Sequence, residues 1–312
     1  MSEQSGGGGA NWWAALNEVP GVGAATMLRL ARVFGSPEAA LAADATELVA
    51  RGELTPGQAE GVKAAAEGME LLQRRLEAYA RRGIRLIAIG ETDYPRALLA
   101  LRSPPPLLYV QGEIGSDDAR AVAIVGTREP DRDGARLAKW LAKEFARRGF
   151  TIISGLARGV DTAGHRGALE AESGRTIAVL GSGLLRVYPA ENLGLAARIA
   201  RRGALVAEVP PEAEVDRRFL LARDRIQAAL ALAVIVVQAH RECGSIVTAR
   251  HATQCRRLLY GVPWDGEPFS GGWETLQALG ARPISRESDL DAIAAEVEAL
   301  PAPPEQSTLG AR

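Results

Sequence analysis

The sequence predicts an α/β protein with a parallel sheet, preceded by an all-helical segment. Over residues 119–263, short apolar strands rich in β-branched residues alternate with helical patterns, which is typical of a sheet covered on both faces. Residues 150–183 give strand, glycine-containing loop, helix and strand, a βαβ unit that requires a right-handed crossover. Such a unit places its loops at the carboxyl edge of the sheet, where open α/β sheets bind ligands.

Composition and charge exclude several classes of protein. The 312 residues carry a formal net charge of −1, so binding to a polyanion would need a local basic patch. No apolar run approaches the ~20 residues of a membrane span, and the glycine-rich N-terminus does not resemble a signal peptide. Cys243 and Cys255 lack metal-ligand spacing and suit reduced thiols. We therefore expect a cytoplasmic protein with no membrane association, no metal and no other cofactor.

The chain begins with a predicted disordered tail, residues 1–10, followed by a helical domain, residues 11–80. In this domain two apolar-periodic segments flank the sequence PGVG at 20–23. That pattern resembles a helix-hairpin-helix element, whose turn amides can hold a DNA phosphate. A tight turn between packed helices is the alternative, and we favour it because few basic residues flank the turn.

Residues 83–287 are predicted to form the sheet domain. After it come a short acidic helix over 288–300 and a proline-rich tail, so that residues 288–312 lie outside the sheet domain. Strands are expected at 84–89, 107–110, 121–126, 150–155, 176–181, 204–209, 233–238 and 258–263. Helices are expected at about 133–148, 160–172, 192–202, 218–231 and 246–256.

Four turns at one edge of this sheet are candidates for binding phosphate groups. Glycine lets the backbone approach a ligand, amides at a helix start favour an anion, and arginine adds a fixed charge. For Arg128, a surface salt bridge to Glu129 or Asp131 is an equal alternative. The candidate residues are Gly126, Thr127 and Arg128; Ser154, Gly155, Arg158 and Gly159; Gly181 and Gly183; and Gly244, Ser245 and Thr248.

Two familiar kinds of nucleotide site are absent from the sequence of these turns. The first turn lacks the G-x-G-x-x-G pattern of dinucleotide-binding proteins, and it also lacks the spacing and lysine of a P-loop. Asp161 and His165, four residues apart on one helix, suit a catalytic base with its orienting partner. A structural role is the interpretation that we favour, because no nucleophile stands at a matching position.

An arginine-rich segment, residues 215–232, suggests the nature of the ligand. Arginine interleaved with an aromatic residue suits single-stranded nucleic acid, through phosphate pairing and base stacking. The alternative is a solvated start of an amphipathic helix, with the aromatic side chain in the core. The residues concerned are Arg217, Arg218, Arg223 and Arg225, with Phe219 between them.

Several motifs together resemble one known family, DNA-processing protein A (DprA, also called Smf). They are GTR at 126–128, SGLARGVDTAGHRGAL at 154–169, TIAVLGSGL at 176–184, YPAEN at 188–192, RRFLLARDRI at 217–226 and GSIVTA at 244–249. The resemblance implies a SAM-like or helix-hairpin-helix N-terminal domain and an extended Rossmann fold. It also implies a homodimer that binds single-stranded DNA in a basic pocket and loads RecA recombinase in natural transformation, without catalysis.

The resemblance assigns pocket roles to matching positions, with some departures. The positions carried over are Arg128, Ser154, Gly155, Arg158, Gly159, Phe219, Arg223, Arg225, Gly244 and Ser245. Asp224 stands where the family usually has Asn, and a carboxylate there would weaken phosphate binding. The C-terminal winged helix of many members is expected to be absent or vestigial. A nucleotide-processing enzyme on the same scaffold is the alternative function, although the P-G-G-x-G-T-x-x-E stretch of such phosphoribohydrolases is missing.

Overall fold

A computed structural model describes residues 8–264, 269 and 271–300, and it begins with six helices. The first starts at Gly8, so residues 8–10 belong to a helix and not to the predicted tail; residues 1–7 lie outside the described part. Side chains of Ser36, Asp44 and Thr55 cap three of the helices by accepting a backbone N–H bond. The helices are α1 Gly8–Asn17, α2 Ala24–Phe34, α3 Pro37–Ala42, α4 Ala45–Ala50, α5 Pro56–Glu67 and α6 Met69–Arg81.

The turn between α1 and α2 packs against α5. Gly21 adopts a positive φ of 78°, and its carbonyl accepts a 2.8 Å bond from Nε2 of Gln58. A Cβ on Gly61 would lie 2.8 Å from Cγ1 of Val19, so α5 approaches this turn closely. These contacts support the interpretation of the turn as a connection between packed helices.

The remaining chain builds one mixed sheet in the order β1-β2-β6-β5-β4-β3-β7-β8-β9. β2 pairs antiparallel with β1 and with β6, and the other neighbours are parallel. The predicted α/β fold with an extended Rossmann-like sheet is confirmed. The strands are β1 Ile84–Ala88, β2 Leu107–Gly112, β3 Ala121–Val125, β4 Thr151–Ser154, β5 Thr176–Leu180, β6 Gly203–Ala207, β7 Ala233–Val236, β8 Leu258–Gly261 and β9 Arg282–Pro283.

Helices follow the parallel strands and cover both faces of the sheet, and those between β3 and β8 lie within a few residues of their predicted ranges. From β3 the chain winds outward through β4, β5 and β6, then crosses back to β7 on the other side of β3. This reversal opens a crevice between the carboxyl ends of β3 and β7. The helices are α7 Arg132–Arg147, α8 Val160–Glu170, α9 Leu193–Arg202, α10 Arg217–Leu230, α11 Gly244–Gln254, α12 Gly272–Ala278 and α13 Ser288–Glu298.

The six N-terminal helices share a continuous core with the sheet. Trp13 and Tyr79 lie in the same buried cluster as Tyr109 of β2 and Val206 of β6. Polar contacts reinforce the junction, since Nδ2 of Asn17 donates a 2.8 Å bond to the carbonyl of Glu208. Burial of apolar surface therefore joins the helical segment to the edge of the sheet.

The C-terminal helix α13 packs against the opposite face of the sheet. Its apolar side, including Leu290 and Ile293, belongs to a second buried cluster. Two ion pairs flank it, from Arg148 to Asp291 at 2.9 Å and from Arg282 to Glu296 at 2.6 Å. Of the predicted C-terminal segment, residues 301–312 lie outside the described part. Within that part, no helix is long and apolar enough to cross a bilayer.

Candidate nucleic-acid interface

A cavity of about 990 Å³ lies in the crevice between the carboxyl ends of β3 and β7. Its walls come from the loop after β3, the loop after β7 with the start of α11, and one face of α10. Three of the predicted regions therefore meet there. The predicted residues that line it are Gly126, Thr127, Arg128, Arg217, Arg223, Gly244, Ser245 and Thr248.

The loop after β3 supplies an exposed cation on a fixed backbone. The N–H of Thr127 donates a 2.7 Å bond to the carbonyl of Gln238, which ties this loop to the one after β7. Gly126 is required by packing, because a Cβ there would lie 2.7 Å from Cγ2 of Val160. Arg128 is exposed and, among the described residues, has no carboxylate within 4 Å. The alternative of a salt bridge to Glu129 or Asp131 is therefore not what the structure shows.

The loop after β4 forms a supporting wall beneath the cavity. The hydroxyl of Ser154 is fully buried and donates a 2.7 Å bond to the carbonyl of Ile124, so it joins two strands. A Cβ on Gly155 would meet Nη1 of Arg223 at 1.3 Å. Gly159 has a φ of 74°, and a Cβ on it would lie 2.5 Å from the carbonyl oxygen of Thr127. These residues allow close packing behind the cavity and do not line it.

Arg158 lies beside a small side cavity, and its guanidinium group is paired with a carboxylate. Its Nε and Nη2 each donate a 2.9 Å bond to Glu191, and both side chains are more than half exposed. The side cavity, about 40 Å³, is lined by Gly155 and Arg158 together with Arg128. Arg158 is thus near the candidate site, but its charge is already paired.

Gly181 and Gly183 lie away from the cavity. A Cβ on Gly181 would lie 2.7 Å from Cα of Leu220 in α10, and one on Gly183 would lie 2.2 Å from the carbonyl oxygen of Pro211. Both glycines therefore permit close backbone packing. The structure gives them no position from which to contact a ligand in the cavity.

The arginines of α10 point in different directions. Arg217 is exposed and lines the cavity. Arg218 is paired with Asp216, the residue that caps the helix. Arg225 faces the sheet and pairs with Glu208, whose carboxyl has a raised pKa because it is buried. Phe219 does not line the cavity; Leu220, which follows it, does.

Arg223 lies on the floor of the cavity and bridges two carboxylates. Its Nη1 is 3.9 Å from Oδ2 of Asp161, and its Nε is 3.3 Å from Oδ1 of Asp224. All three side chains are more than nine-tenths buried. Burial raises the pKa of Asp224 to about 7, an effect that nearby Asp161 increases and that Arg223 and Arg128 oppose. Two carboxylates therefore share the one charge of Arg223, which has little left for a phosphate.

Asp161 contacts the loop after β4, and His165 contacts the first residue of β5. Oδ2 of Asp161 accepts bonds from the N–H groups of Gly155 at 3.1 Å and Ala157 at 3.3 Å. Nδ1 of His165 is 2.7 Å from Oγ1 of Thr176, and burial lowers the pKa of His165 to about 3. The geometry matches the structural interpretation, because each residue has partners of its own within the fold.

The N-terminus of α11 faces the cavity. Gly244 is exposed there, while Ser245 and Thr248 are almost completely buried. The hydroxyl of Ser245 lies 2.8 Å from Sγ of Cys243, and the hydroxyl of Thr248 donates a 3.3 Å bond to the carbonyl of Gly244. What this turn offers a ligand is therefore its backbone more than its side chains.

A model of the family described as DNA recombination-mediator protein A matches residues 85–295 of this chain. The chain belongs to that family. DNA processing protein DprA of Bacillus subtilis is 37% identical over 237 residues, which is 73% of this chain and 80% of the relative. Protein Smf of a Synechocystis strain is 34% identical over 263 residues, or 81% of this chain and 64% of that protein.

Two solved structures of the family share the fold. DNA processing protein A of Streptococcus pneumoniae aligns with a TM-score of 0.67 and 26% identity, covering 90% of this chain and 97% of that one. The Helicobacter pylori protein, described for its single-stranded DNA binding mode, aligns with a TM-score of 0.62 and 29% identity, covering 68% of this chain and 96% of that one. The sheet and its cavity thus lie within a fold that handles DNA in a relative.

Sequence reasoning missed several residues that line the cavity. Tyr188, in the YPAEN motif, is 42% exposed and borders both cavities. Arg250 on α11 is exposed and has no carboxylate within 4 Å in the part of the chain that the structure describes. Helical periodicity was a usable signal for α10, because positions i, i+3, i+4 and i+7 share one face. On that face lie Arg217, Leu220, Leu221 and Asp224, all of which line the cavity.

Proposed function

We propose that this chain binds single-stranded DNA in the cavity between β3 and β7. The observation that carries the proposal is the arrangement of Arg128, Arg217 and Arg250 around the cavity. Each is exposed, and none has a carboxylate within 4 Å among the described residues. Guanidinium groups free of carboxylates suit phosphate oxygens, to which they can donate two bonds at once. The Helicobacter pylori relative, with its single-stranded DNA binding mode, supports the choice of ligand.

The shape of the cavity supports a single strand over a duplex. At about 990 Å³ it reaches the upper end of the ~300–1,000 Å³ range of small-ligand pockets. Tyr188 and Leu221, each 42% exposed, offer apolar surface beside the cations. Bases can use such a surface only when they are unpaired and free to leave a stack.

Family membership supports the wider role. We infer that the chain protects incoming DNA and loads RecA recombinase onto it, acting as a cytoplasmic homodimer without catalytic activity. An assay with RecA, single-stranded DNA and a competing single-strand-binding protein distinguishes RecA loading from protection of the DNA. Loading activity predicts faster RecA filament formation when the chain is added. DNA binding without such acceleration would restrict the function to protection.

Gel shifts with labelled oligothymidylate and the matching duplex, across a salt series, test the proposed binding. We expect a preference for the single strand and a linear fall of log affinity with log salt, about 0.7 per phosphate contact. The same titration with Arg128→Ala, Arg217→Ala and Arg250→Ala assigns the contacts to the cavity. Absence of binding at low salt would refute the proposal, and normal binding by all three variants would move the site elsewhere.

A nucleotide-processing enzyme is the second candidate, and one observation favours it. Asp224 lines the cavity with a pKa near 7, a value suited to a general base at neutral pH. Hydrolysis of nucleotides by the wild type, with loss of that activity in Asp224→Asn, would support this function. No turnover across a nucleotide panel leaves the DNA-binding function in place.

A further inference from the structure

Asp224 is a buried carboxylate that faces the cavity with little to bind it. Asp224 is 6% exposed. Its Oδ1 forms an ion pair with Nε of Arg223, at 3.3 Å. Its other oxygen, Oδ2, lies 3.8 Å from where a Cβ on Gly244 would stand, at the open start of α11. No hydrogen bond to Asp224 occurs in the part of the chain that the structure describes. Because Asp224 lines the cavity, a hydrogen-bond donor can reach its carboxylate from there.

The distribution of charge orients a bound strand. On the floor, the carboxylates of Asp161 and Asp224 share the single cation of Arg223. Around the cavity stand Arg128, Arg217 and Arg250, none of which has a carboxylate within 4 Å among the described residues, together with the exposed side chains of Glu129 and Glu242. Phosphate groups are repelled by the floor and attracted by these arginines, so they lie near the mouth of the cavity. The base of the same nucleotide then points inward, with its Watson–Crick edge toward Asp224.

An ionised carboxylate can only accept hydrogen bonds. Guanine carries two adjacent donors on its Watson–Crick edge, N1–H and the N2 amino group, which match the two oxygens of a carboxylate. Thymine offers one donor between two carbonyl acceptors, and cytosine and adenine each place a ring acceptor beside their amino group. Guanine is thus the one base that presents a donor to each carboxylate oxygen without presenting an acceptor to either.

We propose that Asp224 makes this pocket select a guanine within a single strand. The inference rests on the proposed DNA binding and adds a base preference to it. A bidentate contact of this type discriminates by about fivefold or more in affinity. The preference belongs to one pocket position, so a strand needs a single guanine in reach and the remaining bases are unrestricted.

The preference depends on ionisation of Asp224. A protonated carboxyl has one donor and one acceptor, which can pair with any base edge. The charged groups that face Asp224 are Arg223 on its own helix, Asp161 on α8 and Arg128 after β3; His240, Glu242 and Arg250 also line the cavity. With a pKa of about 7 for Asp224, selection of guanine is expected to increase from pH 6 to pH 8.

Fluorescence anisotropy with short oligothymidylates tests the proposal. The centre of each strand carries thymine, guanine or hypoxanthine, the last of which keeps N1–H but lacks the N2 amino group. For the wild type at pH 8 we expect guanine to bind at least about fivefold more tightly than thymine, with hypoxanthine between them. In Asp224→Asn the ratio should fall to about one, because an amide has one donor and one acceptor and can pair with every base edge.

Asp133→Asn is the matched control, since it makes the same chemical change on the exposed side of α7. Asp133 does not line the cavity, so its variant should keep the wild-type ratio. Thermal unfolding of both variants establishes that they are folded. A guanine-to-thymine ratio near one in the wild type, or an unchanged ratio in Asp224→Asn, overturns this inference. If oligothymidylate itself fails to bind at low salt, the proposed function fails instead.

Discussion

Two regions that both supply arginine to the cavity differ in how much charge they make available. The loop after β3 contributes Arg128 alone, and no carboxylate lies within 4 Å of it in the described residues. The segment that forms α10 contains four arginines, but three of them are paired. Arg218 pairs with Asp216, and Arg225 pairs with Glu208. Arg223 lies between Asp161 and Asp224. Among the described residues, the loop thus offers one arginine without a carboxylate within 4 Å, as does the arginine-rich helix.

The difference teaches that arginine density and available positive charge are separate quantities. A guanidinium that neutralises a buried carboxylate stabilises the fold, and removing it leaves an unpaired buried charge. An exposed guanidinium without a carboxylate partner contributes little to stability and can bind an anion. Substituting arginines from each region should therefore separate effects on folding from effects on DNA binding.

Arg225→Ala is expected to have the largest effect, which is a loss of stability. It leaves the buried carboxylate of Glu208 without its partner, which typically costs about 3–5 kcal/mol in free energy of unfolding. Urea denaturation measures the loss. Adding Glu208→Gln to this variant should restore part of the stability, because the unpaired charge is then removed. A fully stable Arg225→Ala variant with weakened DNA binding would contradict the comparison.

Arg128→Ala is expected to weaken DNA binding more than any other substitution in this comparison. Losing one phosphate contact should weaken affinity for oligothymidylate about tenfold and reduce the salt slope by about 0.7. The thermal unfolding temperature should remain at the wild-type value. Arg136→Ala is the control, because Arg136 is equally a surface arginine of this region but pairs with Asp133 outside the cavity. Equal affinities for the two variants would place the strand elsewhere.

Asp224→Asn should change the pH dependence of stability. The pKa of Asp224 is raised from 3.8 to about 7 by burial, so the folded protein holds a proton there that the unfolded chain releases. The resulting stabilisation is complete below about pH 4 and is lost as the pH rises through 7. We therefore compare the free energy of unfolding of Asp224→Asn with that of the wild type at each pH. The difference, variant minus wild type, should be larger at pH 8 than at pH 5, by roughly 1–3 kcal/mol. A difference that does not vary with pH would show that this carboxyl titrates normally.

Arg218→Ala is expected to have the smallest effect of the four. Its side chain is 84% exposed and pairs with Asp216 at the helix start, away from the cavity walls. Exposed ion pairs of this kind contribute little to stability. Both the unfolding midpoint and the affinity for oligothymidylate should match the wild type within measurement error. A loss of affinity comparable to that of Arg128→Ala would extend the binding surface beyond the cavity.

Much of the fold was predictable because it depends on local patterns. The apolar runs located the strands to within a few residues, and the glycine-containing turns identified the carboxyl edge of the sheet. The positions of Gly126, Gly244 and Arg128 at the cavity followed from that edge alone. Contacts between residues far apart in the sequence could not be predicted from such local patterns. Ser154, for example, occupies the predicted turn, but its hydroxyl is engaged by Ile124 of the neighbouring strand.

The sequence alone determined the α/β architecture, the edge of the sheet at which the cavity lies and the family to which the motifs point. The tertiary structure decided which arginines remain available. Arg158 pairs with Glu191, and Arg223 with Asp161, across 33 and 62 residues of chain. Such partners are set by how helices and loops pack, because an ion pair depends on a few ångströms of separation in space. A composition rich in arginine carries no information about that distance.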